Sequence, residues 1–133
     1  MFTIKNFFAL VFFFLTTTVV FANETPQISQ QALLTELQNA NPSIIVLDVR
    51  SKDEYAQEHI AGAINFSHDT VAQNLDLLAQ YKDKTVVVYC RSGRRASIAE
   101  EILINNGFND IRHLTGDMNG WLEANQPVVS NNL

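Results

Sequence analysis

The sequence predicts an α/β protein, a mostly parallel sheet covered by helices on both faces. Three observations carry that prediction. Ile44-Ile45-Val46-Leu47 and Thr85 to Tyr89 are short apolar runs rich in β-branched residues, the pattern of strands buried on both sides. Between and after them lie segments whose apolar residues recur at helical spacing. Polar and reactive residues, Asp48-Val49-Arg50 and Cys90-Arg91, follow directly on the ends of the two runs, where open α/β sheets place their ligand sites.

Taken in order, the chain opens with a single cation, Lys5, and an apolar core from Phe7 to Leu15. Thr16-Thr17-Thr18 and Val19-Val20-Phe21-Ala22 follow, with Val20-x-Ala22 as a small-residue cleavage site. This is the layout of a secretory signal peptide. The expectation is a signal over residues 1–22, removed to leave one domain over 23–133 in the periplasm, with no stable membrane association. The competing reading is an uncleaved anchor, since the uncharged stretch Asn6 to Asn23 approaches spanning length when tilted. No cysteine follows the apolar core, which argues against a lipid-modified N-terminus.

Asn23 to Gln27 reads as an extended lead-in containing Pro26. Ser29 caps a first helix over Gln30 to Ala40, with Ala32, Leu33, Leu37 and Ala40 on one face and Asn41-Pro42 as its stop. After the Ile44 to Leu47 strand, Ser51-Lys52-Asp53-Glu54 has the form of a capping box and opens a short helix to about Glu58. Arg50 has Asp53 and Glu54 within reach, and Asp48, just past a buried strand, needs a donor that the arginines near Cys90 can supply. His59 to Asn65 reads as a turn into a short strand, with Gly62 for an unusual backbone angle. Asp69 or Thr70 starts a helix with Val71, Leu75 and Leu78 as its apolar face.

Lys82-Asp83-Lys84 turns into the Thr85 to Tyr89 strand, and a helix over Ser97 to Asn106 follows the cysteine, stopped by Gly107 in the left-handed position. Ile111 to Leu114 is a last strand. Met118, Trp121 and Leu122 mark a final helix, and Gln126 to Leu133 is expected to be a loosely held tail.

Cys90 is the one cysteine in the chain, at the handover from strand to helix in Cys90-Arg91-Ser92-Gly93-Arg94-Arg95. Turn N–H groups, a helix N-terminus and three guanidinium groups all favour a thiolate there, and the same features cradle an anion. Arginine is rarely buried unpaired, so Arg91, Arg94 and Arg95 make this loop exposed or anion-facing rather than an inert core turn. In an exported chain a lone thiol has no internal disulfide partner. With no C-x-x-C pair, dithiol exchange of the thioredoxin kind is excluded.

Charge narrows the partner. The formal net charge is −5, and three of the nine Lys+Arg residues cluster around Cys90, so a positive spot sits on a negative body. That disfavours nucleic acid and favours a small anionic molecule. His59, His68 and His113 lack metal-ligand spacing and read as structural or surface residues; neither a nucleophile-elbow serine nor a nucleotide-binding glycine loop is present. No metal and no cofactor are expected.

Four motifs together resemble a single-domain rhodanese, and the size and signal make the chain similar to the small periplasmic thiosulfate sulfurtransferases. They are Leu47-Asp48-Val49-Arg50 with Glu54-Tyr55; His59-Ile60-x-Gly62-Ala63-Ile64-Asn65; Cys90-Arg91-Ser92-Gly93-x-Arg95; and Leu114-x-Gly116 with Trp121. The resemblance implies a five-stranded parallel sheet with the cysteine loop at its C-terminal edge. It implies Cys90 as nucleophile, taking sulfur from thiosulfate as a persulfide and passing it to cyanide or a thiol. Backbone N–H groups from Arg91 through Ser92, Gly93 and Arg94 to Arg95 would hold the persulfide, the arginines the sulfonate end, and Asp48 would brace the loop. Two positions depart from the family pattern: Ala61, where proline is common, and Asp117, where a second glycine is common.

Two other readings share this fold. Related phosphatases and arsenate reductases carry Cys-x5-Arg, whereas position 96 here is alanine and Arg95 closes a loop one residue shorter, a cradle sized for a single sulfur. A sulfur-carrier or docking module is the other, against which Cys90 and its arginines argue when the module is purely structural.

Overall fold

The computed structural model describes residues 15–19 and 24–131. The expected signal-peptide core, apart from Leu15, and the expected cleavage point after Ala22 fall on residues outside those described. No helix among the described residues is long and apolar enough to cross a membrane.

Five strands form one parallel sheet: β1 (Gln27–Ile28), β2 (Ile44–Asp48), β3 (Ile64–Asn65), β4 (Thr85–Tyr89) and β5 (Asp110–Leu114). Their order across the sheet is β1-β5-β4-β2-β3. The strand that precedes Cys90 is therefore the central one. Leu47 and His113 both pair with Val88, and Asp48 pairs with Tyr89, so residues from both neighbouring strands end beside the cysteine.

Side chains alternate along β4 because successive Cβ atoms point to opposite faces. Val86, Val88 and Cys90 join Leu47, Val71, Leu78, Ala96, Ala99 and Leu103 on one face, under α3 (Leu75–Leu78) and α4 (Arg94–Asn105). Val87 and Tyr89 join Leu33, Val46, Leu114, Met118 and Trp121 on the other, under α1 (Gln30–Leu37) and α5 (Asp117–Glu123). The remaining helix, α2 (Lys52–Gln57), sends Tyr55 against this second face. The two-sided burial read from the apolar runs is thus realised on both faces.

Local chemistry explains most boundaries. Ser29 accepts from the Ala32 N–H and opens α1, and the Ser51–Glu54 capping box closes in both directions to open α2. Gly62 and Gly107 both have positive φ, 82° and 87°. Four expectations are corrected. The first helix ends at Leu37, not Ala40, as Asn39 tightens onto the Glu36 carbonyl ahead of Asn41-Pro42. The segment after Thr70 is two 3-10 turns around a single α-helical turn, because Asn74 sends its amide to the Thr70 carbonyl and leaves helical geometry; Val71 and Leu78 are nonetheless buried. The lead-in gains a strand, β1, against β5. The tail is tied rather than loose through Asn131. Val129 makes a two-way bridge with His59, the Trp121 indole donates to the Pro127 carbonyl, and the Asn131 N–H reaches the Ala56 carbonyl.

Candidate active site

Cys90 lies one residue past β4, on the face covered by α4, and is 1% exposed. The turn that follows is shorter than the sequence suggested. Gly93 takes φ 119°, and α4 starts at Arg94 rather than Ser97, so Arg94, Arg95 and Ala96 form the first turn of the helix instead of the loop. The first N–H groups of a helix have no partner in the preceding turn. Here the Gly93 N–H donates to the Cys90 sulfur at 3.0 Å. Those of Arg94, Arg95 and Ala96 bond to nothing among the described residues. The loop is gripped from α5 as well, where the Met118 and Asn119 N–H groups donate to the carbonyls of Cys90 and Arg91.

The three arginines separate. Arg91 and Arg94 are exposed, and neither makes an ion pair among the described residues. Arg95 forms a bidentate pair with Glu54, Nη1 to Oε2 at 2.8 Å and Nη2 to Oε1 at 3.0 Å. That contact with Arg95 is the main reason the Glu54 carboxyl is held down at about 2, and Glu54 raises the Arg95 guanidinium in return. Glu54 thus caps α2 and holds α4 at once. The capping role was legible in the sequence; the pairing, across 41 residues, was not.

Asp48 keeps a different partner from the one expected. Its oxygens accept from the Arg50 N–H, from Arg50 Nε and Nη2, and from the Tyr89 hydroxyl at 2.7 Å. Arg50 completes its shell on the Glu58 carbonyl. An Asp-x-Arg spacing on extended chain turns both side chains to one face, so the near arginine reaches Asp48 before those of the cysteine loop. Neither Asp53 nor Glu54 pairs with Arg50. Burial opposes the Arg50 charge, but Asp48 more than offsets it and the guanidinium is raised; burial, then Asp48, pushes the Tyr89 hydroxyl upward. Asp48 therefore braces the ends of β2 and β4 and, through the Tyr89 hydroxyl that accepts the Ile60 N–H, the turn before β3.

Under the other side of the loop lies a buried chain of groups that spacing arguments missed. Asp117 Oδ1 accepts the Cys90 N–H at 2.9 Å, and Oδ2 meets His113 Nε2 at 2.9 Å. His113 Nδ1 meets Glu100 Oε1 at 2.5 Å. Asp117 first, and Glu100 second, push the imidazole up to about 10. The only sequence signal was the appearance of Asp117 where glycine is common. His59 is structural in a plainer way, stacked on Tyr55 at 3.7 Å with Nδ1 on the Tyr55 carbonyl.

Two clefts flank the loop, and their charge differs. The larger, about 760 Å³, runs past Ser92 and Gly93 but is lined by Glu24, Glu100, Glu101 and Asp117 against the single cation His113, the wrong sign for an anion. The smaller, about 180 Å³, is lined by Arg50 and Arg91 together with Glu54 and Glu58, so its charges balance, and Arg91 has no acidic partner there. An anion reaching Cys90 is favoured from the Arg91 side.

Residues 29–124 match the rhodanese-like domain. The chain is 37% identical over 70 residues to the thiosulfate sulfurtransferase PspE of Escherichia coli strain K12, covering 53% of this chain and 67% of that protein. It is 34% identical over 80 residues to the tRNA uridine(34) hydroxylase of Photorhabdus laumondii, covering 57% of this chain and 23% of that protein; it spans less than a quarter of the length of that relative. A rhodanese-related protein from Thermoplasma volcanium superposes with a TM-score of 0.68 at 30% identity, over 78% of this chain and 97% of that one. With the parallel sheet, the cysteine at the end of its central strand and a match over most of the described residues, the chain belongs to the rhodanese-like domain family.

Proposed function

We propose that this protein is a thiosulfate sulfurtransferase that carries sulfur on Cys90. The observation that supports this most is the cup at the start of α4, where Gly93 already donates to the sulfur and the Arg94, Arg95 and Ala96 N–H groups have no partner among the described residues. A persulfide adds a second, anionic sulfur at that place, and N–H groups at a helix N-terminus stabilise it without reorganising.

The Cys90 thiolate attacks the outer sulfur of thiosulfate. A sulfur–sulfur bond forms at Cys90 as the one to the sulfonate breaks, and sulfite leaves with the bonding pair. A thiophilic acceptor, cyanide or a thiolate, then attacks the outer persulfide sulfur and restores the Cys90 thiolate. Three negative charges meet in the first step, so cations that neutralise them lower its barrier. Arg91 and Arg94 carry that role, while the Arg95 fork is occupied by Glu54. The reaction takes place in the periplasm, after export directed by residues 1–22.

Intact mass of the reduced protein before and after thiosulfate tests this reading, with Cys90→Ser alongside. The expected result is a gain of one sulfur atom that requires Cys90 and is reversed by cyanide with release of thiocyanate. No gain in the folded wild-type protein, or the same gain in Cys90→Ser, would overturn it.

A further inference from the structure

Asp117 stands where its backbone does not suit it. Its φ of 53° lies in the left-handed region that glycine adopts freely and aspartate enters only occasionally, when its side chain finds partners. The side chain supplies the compensation, being buried and fully engaged: one oxygen holds the Cys90 N–H and the other the His113 ring, whose far nitrogen meets Glu100. Carboxylate oxygens only accept, so both ring nitrogens carry protons and the ring is an imidazolium. The same two acids, Asp117 first, hold the ring proton and push the imidazole up to about 10. The groups facing it are Glu100 from α4 and Asp117 from α5, with Glu24 and Glu101 on the rim of the adjoining cleft, Gln27 neutral on β1, and the Cys90 thiol beyond Asp117.

The network meets the cysteine loop twice. It holds the N–H of the nucleophile itself, and Asp117 Oδ2 would lie 3.2 Å from a Cβ at Gly93, the residue whose N–H bonds the sulfur. A carboxylate this close to a thiolate and an incoming dianion would by itself oppose the reaction. The imidazolium between Asp117 and the more distant Glu100 offsets the nearer of the two charges.

We propose that Asp117 is a positioning residue for sulfur loading at Cys90, anchored through His113 to Glu100 so that it fixes the nucleophile's backbone while the imidazolium offsets the carboxylate nearest the sulfur. The proposal rests on the sulfur-transfer reading above. Nothing in the network touches the reacting atoms, so its signature is a loss of rate rather than of substrate affinity.

Single-turnover loading, followed by intact mass, yields a saturating rate and a half-saturating thiosulfate concentration for wild type, Asp117→Gly, Asp117→Asn and His113→Gln, each checked for folding by circular dichroism. Asp117→Gly relieves the backbone but releases the Cys90 N–H; it should lower the saturating rate about tenfold or more and move half-saturation by less than about twofold. Asp117→Asn keeps an oxygen for that N–H while its amide donates to a neutral ring, so it should recover most of the rate. The wild-type rate should fall on the alkaline side as His113 loses its proton near pH 10, and His113→Gln should lack that limb.

A wild-type rate in Asp117→Gly, or superimposable alkaline profiles for wild type and His113→Gln, would overturn the proposal. Should Asp117→Gly fail to fold, the His113→Gln profile decides. If wild type takes up no sulfur, the transfer reading falls separately. The rate of Cys90 alkylation by iodoacetamide over the same pH range then carries the comparison: a slower rate in Asp117→Gly supports positioning and an unchanged one overturns it.

Discussion

Replacing Asp48 by asparagine removes one charge from the most completely buried ion pair in the described structure. Asp48 is 0% and Arg50 5% exposed, and the Asp48 oxygens accept from Arg50 N, Nε and Nη2 and from the Tyr89 hydroxyl. An asparagine side chain in that place offers one oxygen for those donors and turns an NH2 toward the guanidinium, so Arg50 stays buried with its charge uncompensated. Breaking a buried pair from one side costs about 3–5 kcal/mol. Against a total stability of roughly 5–15 kcal/mol this is a large fraction. At about 4–8 °C per kcal/mol for a domain of this size, the melting temperature should fall by roughly 12 °C or more.

Urea unfolding of the reduced protein, followed by circular dichroism, measures the loss directly. The double variant Asp48→Asn/Arg50→Met separates pairing from packing: it keeps an acceptor for Tyr89 and removes the stranded charge, so it should be at least about 1 kcal/mol more stable than Asp48→Asn alone. Sulfur loading by Asp48→Asn, assayed where it and wild type are both folded, should stay within about threefold of wild type, because Asp117 rather than Asp48 holds the Cys90 N–H. A cost under about 1 kcal/mol for Asp48→Asn, or a double variant equal to the sum of the singles, would refute the reasoning.

Further outcomes follow from the same contacts. Gly93→Ala places a Cβ at φ 119° and 3.2 Å from Asp117 Oδ2; it should destabilise the protein by about 2 kcal/mol in the same unfolding assay and slow loading, and a neutral effect on both would mean that the turn relaxes freely. The Glu54 carboxyl is held at about 2 against an ordinary 4.5, so its stabilising contribution is present above pH 4.5 and disappears as pH falls from there through 2. Glu54→Gln should flatten that part of the acid-unfolding curve and, by freeing Arg95, alter the thiosulfate concentration for half-saturation; an acid limb identical to wild type would count against the pairing. For His113 the sign reverses. Its raised value means stability that is full below pH 6.5 and is lost as pH rises through about 10, so the alkaline stability limb should be absent in His113→Gln.

By itself the sequence determined the α/β class, the two doubly buried strands, the helix caps at Ser29 and Ser51 and the placing of Cys90 between strand and helix. These follow from local rules: period, β-branching, and side chains that bond to N–H groups two or three residues away. Only tertiary structure decided who partners whom. That β4 is central, that Glu54 reaches Arg95 and that His113 and Asp117 arrive beneath the cysteine all depend on which strands lie side by side, which no local pattern encodes. The arginines show the difference most plainly. Their clustering in the sequence announced an anion site, but a guanidinium takes the best-placed carboxylate in three dimensions, so Arg95 was claimed by Glu54 and Asp48 by Arg50. Asp117 read as a lapse from a glycine pattern, and became intelligible once its carboxylate was seen to hold both the nucleophile's N–H and a charged imidazole.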